Sequence, residues 1–145
     1  MRDVVVDASV LAEMLIGSPL GEVARQRLAG DAVVLHVPQV AALEVIAVLR
    51  KWEVAGALDG AAAARAAADL AHWPVREWPL DGLLGRVWEL RHNLGPYDAA
   101  YAALAEALGA PVFTADLKLA RAIETFARCD AETADLGRGH SAEPT

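Results

Sequence analysis

Three short runs limit this chain more than anything else in it: Val4 to Val6, Val33 to Leu35 and Val112 to Phe113, each apolar throughout, with no polar residue at alternate positions. A strand with one face in water alternates, so unbroken runs belong to strands covered on both faces, the condition of a parallel sheet packed between helices. The segments between these runs carry helical spacing. Val10, Leu11, Met14 and Leu15 fall on one face of Ser9–Ile16, and helices are expected over Leu20–Leu28, from Pro38 toward Trp52, and over Ala61–Leu70, Tyr97–Leu108 and Leu117–Ile123. Another helical stretch follows Asp81 and ends near Asn93. Strands are expected at Asp3–Val6, Ala32–Val37, Val75–Trp78 and Pro111–Thr114, with a weak one over Ala127–Ala131. Gly56, Gly95-Pro96 and Gly109 punctuate the helices, and Asp59 is placed to cap one. The expectation is an α/β fold, a three-layer α/β/α sandwich around a central, mainly parallel sheet.

A chain of 145 residues has the size of one domain. No internal repeat or linker divides it, so residues 1–136 are expected to form that domain and the polar segment 137–145 a flexible tail. Every long apolar stretch is interrupted early by a carboxylate, at Asp7, Glu13 or Glu44, which leaves no candidate membrane span. A start without a basic region and an unbroken apolar stretch points to the cytoplasm. The single cysteine, Cys129, excludes an internal disulfide framework and a Cys-rich zinc site. Thirteen Lys and Arg against twenty Asp and Glu give a formal net charge of -7, which suits poorly a domain that grips nucleic acid through a broad basic face.

Four carboxylates stand out against this background. Asp7 follows the first strand, Asp116 follows the strand at Pro111–Thr114, and Asp98 opens the helix after Gly95-Pro96. Each alone reads equally as a helix cap or a first-turn acid favoured by the helix dipole. In an open parallel sheet, however, the loops after the strands share one edge, and ligands bind in the crevice there. Glu44 is surrounded by Val40, Ala41, Leu43, Val45, Ile46, Ala47 and Val48, which leaves it no polar face, and no Lys or Arg stands three or four residues away. It is therefore expected to be at least partly buried, either paired across the fold or protonated. If the four acids converge, like charges about 4 Å apart repel by roughly 4 kcal/mol at an effective dielectric of 20, and a divalent cation resolves that conflict. An oxygen-only ligand set suits Mg²⁺ or Mn²⁺, and phosphodiester hydrolysis is chemistry that such ions support.

The segments that hold these acids are VVVDASVL at Val4–Leu11, PQVAALEVIAVLRK at Pro38–Lys51, GPYDAAYAALAEALGAP at Gly95–Pro111 and VFTADLKLARA at Val112–Ala122. In content and order they resemble the PIN-domain ribonucleases, specifically the VapC toxins of bacterial toxin–antitoxin pairs. The resemblance implies a metal-dependent endoribonuclease in which Asp7, Glu44, Asp98 and Asp116 form the catalytic acidic set and ligate Mg²⁺ or Mn²⁺, Asp116 occupying the more variable position. Ser9 and Thr114 match small hydroxyl positions near such a site. One departure is Ala47, where relatives often carry an asparagine one turn beyond the glutamate. The resemblance also implies an RNA substrate, a cognate antitoxin as protein partner and a homodimer. A PIN-like module that binds RNA or protein without turnover is the alternative reading. A haloacid-dehalogenase-type phosphohydrolase requires a second Asp where Ser9 stands.

Other residues carry less. Lys118 and Arg121 lie beside Asp116, where they read either as phosphate contacts or as a solvated helix face. His36, His72, His92 and His140 share no spacing, and Cys129 has no partner, so structural or solvent roles and an inert thiol are expected. Trp52, Trp73, Trp78 and Trp88 are expected mostly in the core.

Overall fold

The computed structural model describes residues 1–30 and 32–134. The chain opens with strand β1 (Arg2–Val6), helices α1 (Ala8–Ile16) and α2 (Pro19–Arg27), and strand β2 (Val33–Pro38). Helices α3 (Ala41–Val54) and α4 (Gly60–Leu70) lead to strand β3 (Arg76–Trp78), then to α5 (Leu84–Glu89) and α6 (Pro96–Leu108). Strand β4 (Val112–Thr114), helix α7 (Leu117–Phe126) and strand β5 (Ala131–Thr133) complete it. The five strands form one sheet in the order β3-β2-β1-β4-β5 with every pairing parallel. Val4, Val5, Val6, Val112 and Phe113 are fully buried, as strands covered on both faces require, whereas Val33, Val34 and Leu35 at the start of β2 are only half-buried. The α/β sandwich read from the sequence is thus the fold that forms, with a sheet that is parallel throughout.

The strand order decides where a site can lie. From the central β1 the chain moves one way to β2 and β3, then crosses back to add β4 and β5 on the other side. The order therefore reverses between β1 and β4, and the crevice beyond the carboxyl ends of these two strands is the natural ligand position of an open α/β sheet. Helices α1 to α4 pack on one another, while α6 packs on β1, β2 and β4 with α5 against it. Gly21 permits the α1–α2 contact, because a Cβ there would stand 2.1 Å from the Glu13 carbonyl oxygen. Gly17, at φ 67°, ends α1 in the left-handed region that favours glycine.

Several boundaries differ from expectation for identifiable reasons. Pro38 closes β2 instead of opening the next helix, and the amide of Gln39 continues the pairing by donating to the Trp78 carbonyl at 2.8 Å. Only Leu84–Glu89 is helical between Asp81 and Asn93; i to i+3 bonds from Leu83 to Leu80 and from Asn93 to Leu90 make turns on either side. The last strand begins at Ala131, not Ala127, because Ala127 still bonds back to Ile123 and pairing with β4 starts from the Asp130 carbonyl. Trp52, Trp73 and Trp78 pack against the core, but Trp88 is 66% exposed with the Arg91 guanidinium over its ring. The expected tail, 137–145, lies outside the described residues, as does His140. No helix among the described residues is long and apolar enough to cross a membrane.

Candidate active site

Asp7 sits where β1 hands over to α1, and its backbone amide continues the β1–β4 pairing by donating to the Phe113 carbonyl. Although it occupies the N-cap position of α1, its side chain makes no capping bond. Oδ2 instead accepts from Ser9 Oγ at 2.9 Å and from Thr114 Oγ1 at 2.8 Å. Thr114 is the last residue of β4 and fully buried, and its Oγ1 also accepts from the Asp116 amide at 3.1 Å. The two hydroxyls expected near the site therefore both hold Asp7, across the reversal point of the sheet.

Asp98 and Glu44 reach the same region from helix first turns, on α6 and α3. Burial raises the Asp98 pKa above the ordinary aspartate range, and the neighbouring charges of Asp7 and Asp116 push it the same way. Glu44 is likewise raised, first by burial and then by Asp7 and Asp98, against the lowering effect of a hydrogen bond donated by Tyr101 Oη to its Oε1 at 2.7 Å. Each of the four acids is thus in the electrostatic field of at least one other. The half-burial of Glu44 agrees with expectation, but the reason given for it needs correction. Helix α3 does have a solvent face, apolar in its first two turns and charged further on: Leu43 is 73% exposed and Ile46 40% exposed, Arg50, Lys51 and Glu53 are exposed, and Ala41, Val45 and Leu49 are buried. Ala47 is exposed, and Tyr101 supplies the contact to Glu44 from another helix.

Asp116 caps a helix and also lies within electrostatic reach of Asp98. Its Oδ1 caps α7 by accepting from the amides of Lys118 and Leu119 at 2.9 and 3.1 Å, while its charge raises Asp98. Lys118 and Arg121 are exposed on α7. Among the described residues, none of the four acids forms an ion pair with a basic side chain.

This arrangement bears on cation binding. Among the described residues, each carboxylate keeps at least one oxygen without a hydrogen bond: Asp7 Oδ1, Glu44 Oε2, Asp116 Oδ2 and both oxygens of Asp98. No three His, Cys, Asp or Glu side chains among them stand close enough to make a ready-built cage. The free oxygens are the hard donors that suit a cation such as Mg²⁺, which keeps several of its waters and reaches carboxylates partly through them. Tyr101 is the residue that sequence reasoning missed. Its signal was available only as helical spacing, three residues after Asp98 on the same face of α6.

The remaining candidates have structural roles. His36 is buried, its Nδ1 accepting from Trp78 Nε1 and its Nε2 bonded to Asp3 Oδ1, each at 2.9 Å. His72 and His92 are exposed. Burial and nearby carboxylates push the Cys129 thiol up to about 11, so it stays protonated and unreactive.

Comparison with known proteins agrees with this fold. The PIN domain family matches residues 4–124. Ribonuclease VapC9 of Mycobacterium tuberculosis is 40% identical over 116 residues, covering 80% of this chain and 87% of that protein. Ribonuclease VapC12 of the same species is 35% identical over 118 residues, covering 81% and 90%. Among solved structures, VapBC2 from Rickettsia felis, bound to a DNA fragment from the promoter, superposes with a TM-score of 0.66 at 12% identity, covering 92% of this chain and all of that one.

Proposed function

Because this chain belongs to the PIN domain family, with VapC ribonucleases as its relatives, we propose that it is an endoribonuclease, the toxin of a toxin–antitoxin pair, dependent on Mg²⁺ or Mn²⁺. The observation that carries this reading is the meeting of four carboxylates from four segments at the reversal point of the sheet, with no basic side chain of the described residues paired to them. Asp7, Glu44 and Asp98 would hold the ion, directly or through its retained waters, and Asp116 would add its free Oδ2 at the exposed rim. When bound, the ion supplies the positive charge that joins these carboxylates to an RNA phosphate and makes water a stronger nucleophile. Ser9 and Thr114 keep Asp7 in one orientation, so its free oxygen is presented without rearrangement. Lys118 and Arg121 contact the RNA backbone beside Asp116, a local attraction within a chain whose overall charge is repulsive.

The partners follow from the same family membership: an RNA substrate, a cognate antitoxin and a second copy of the chain, acting in the cytoplasm. The Rickettsia structure is of a VapBC2 complex. Exposed Leu43, Ile46, Leu84, Trp88 and Tyr97 provide apolar surface for a protein partner near the site. The test is incubation of the antitoxin-free protein with RNA. Cleavage is expected with Mg²⁺ or Mn²⁺, none with a chelator, and none from a folded Asp7→Asn variant. RNA binding without turnover would favour the silent module, and undiminished cleavage by Asp7→Asn would reject the assignment.

A further inference from the structure

Tyr101 has 1% of its surface exposed, and its ring belongs to the core beneath α6. A phenylalanine would fill the same space. The hydroxyl is what distinguishes the residue, and it is directed at the site: it donates to Glu44 Oε1 at 2.7 Å. One oxygen atom thus ties α6 to α3, and it stands on the helix that carries Asp98, one turn away.

A glutamate in the first turn of a helix has three side-chain torsions, and among like charges it is driven outward to solvent. A hydrogen bond to a carboxylate is roughly twice as strong as one between neutral groups, and a buried donor has no water to turn to instead. We propose that Tyr101 is a positioning residue whose hydroxyl holds the Glu44 carboxylate in one rotamer on the side of Asp7 and Asp98, so that Glu44 needs no reorientation when cation and RNA arrive. This rests on the metal-dependent ribonuclease reading, and one arm of its test is independent of that reading.

Tyr101→Phe keeps the ring and removes only the donor. In the metal-free protein, nuclear magnetic resonance couplings and carboxyl shifts of Glu44 should report a single rotamer in the parent and an average of several in the variant. An unchanged rotamer would overturn the proposal whether or not the protein cleaves RNA. Titration of the free proteins with Mn²⁺, followed by electron paramagnetic resonance, should show affinity falling roughly tenfold in the variant, the scale of one lost charge-assisted hydrogen bond. Turnover should fall by a similar factor with KM for RNA unchanged, and the melting temperature should stay close to that of the parent. In a Glu44→Gln background the same change should add no further loss. Full Mn²⁺ affinity and turnover in Tyr101→Phe, or an undiminished additional loss in the Glu44→Gln background, would show that the hydroxyl does not act through Glu44. A parent protein that takes up no Mn²⁺ would instead count against the ribonuclease reading, and the rotamer measurement would still decide the role of Tyr101.

Discussion

At the C-terminal end of α6, Glu106 accepts from Arg86 Nε and Nη2 at 2.8 and 3.0 Å and from the Arg128 amide at 2.7 Å. At the N-terminal end of the same helix stands Asp98, with Glu44 close enough to feel its charge and no guanidinium on either. Burial pushes the Glu106 pKa up, yet the bonds from Arg86 and Arg128 outweigh it and leave the group below its ordinary value. For Asp98 and Glu44 burial acts the same way and neighbouring carboxylates add to it. One helix therefore carries a carboxylate matched by a cation of the chain and another with no basic partner among the described residues. The difference separates a carboxylate that holds the fold from one kept for a ligand, a distinction that burial alone does not make.

The largest effect should come from removing charge at the unmatched end. Asp98→Asn is expected to lower metal-dependent RNA cleavage on the order of a thousandfold while leaving the melting temperature unchanged or higher, read from paired kinetics and thermal denaturation. A large fall in melting temperature would mean that Asp98 holds the fold as Glu106 does. At the matched end, Glu106→Gln should cost about 1 to 2 kcal/mol in denaturant unfolding, because it weakens two charge-assisted bonds from Arg86, which keeps Glu89 as a partner, with cleavage by the folded protein retained.

A smaller effect of opposite sign is expected for Glu44→Gln. Without divalent cations it should stabilise the protein by on the order of 1 kcal/mol, since one of several like charges disappears. Stability against pH sharpens the contrast. Glu44 and Asp98 have folded pKa values above their ordinary 4.5 and 3.8, so in the window from those values up to the folded ones the native state binds more protons than the unfolded chain, and stability falls as pH rises. Glu106, below 4.5 in the fold, stabilises fully above that value and loses its contribution as pH drops through the folded one. Glu44→Gln should flatten the first limb and Glu106→Gln the second. The smallest effect belongs to Lys118→Ala, which should leave unfolding within about 0.5 kcal/mol of the parent and weaken the salt dependence of RNA binding.

How far the sequence revealed this site depended on the range of the contact. Asp7 and Asp116 were legible because strand ends in a parallel sheet share an edge, and Asp98 because a Gly-Pro break marks a helix start. Glu44 was flagged for its apolar neighbours, although Leu43 and Ile46 face solvent and the helix is not enclosed. Tyr101 was not legible: its partner is 57 residues away, and nothing local distinguishes it from a core aromatic. The same reason hid the bond from Trp78 to His36, which ties the edge strand β3 to β2, and the start of β5, set by where β4 offers a pairing partner. Local pattern predicts which face a residue occupies; which atom it meets across the fold depends on packing.

The claim that the carboxylates at one end of α6 await a cation is tested most directly by calorimetric titration of the RNA-free protein with Mn²⁺, beside an Asp7→Asn, Asp98→Asn double variant. Saturable uptake by the parent, abolished in the double variant while Glu106→Gln binds as the parent does, is the predicted result. A parent that shows no saturable binding, or a double variant that binds as tightly, would contradict it.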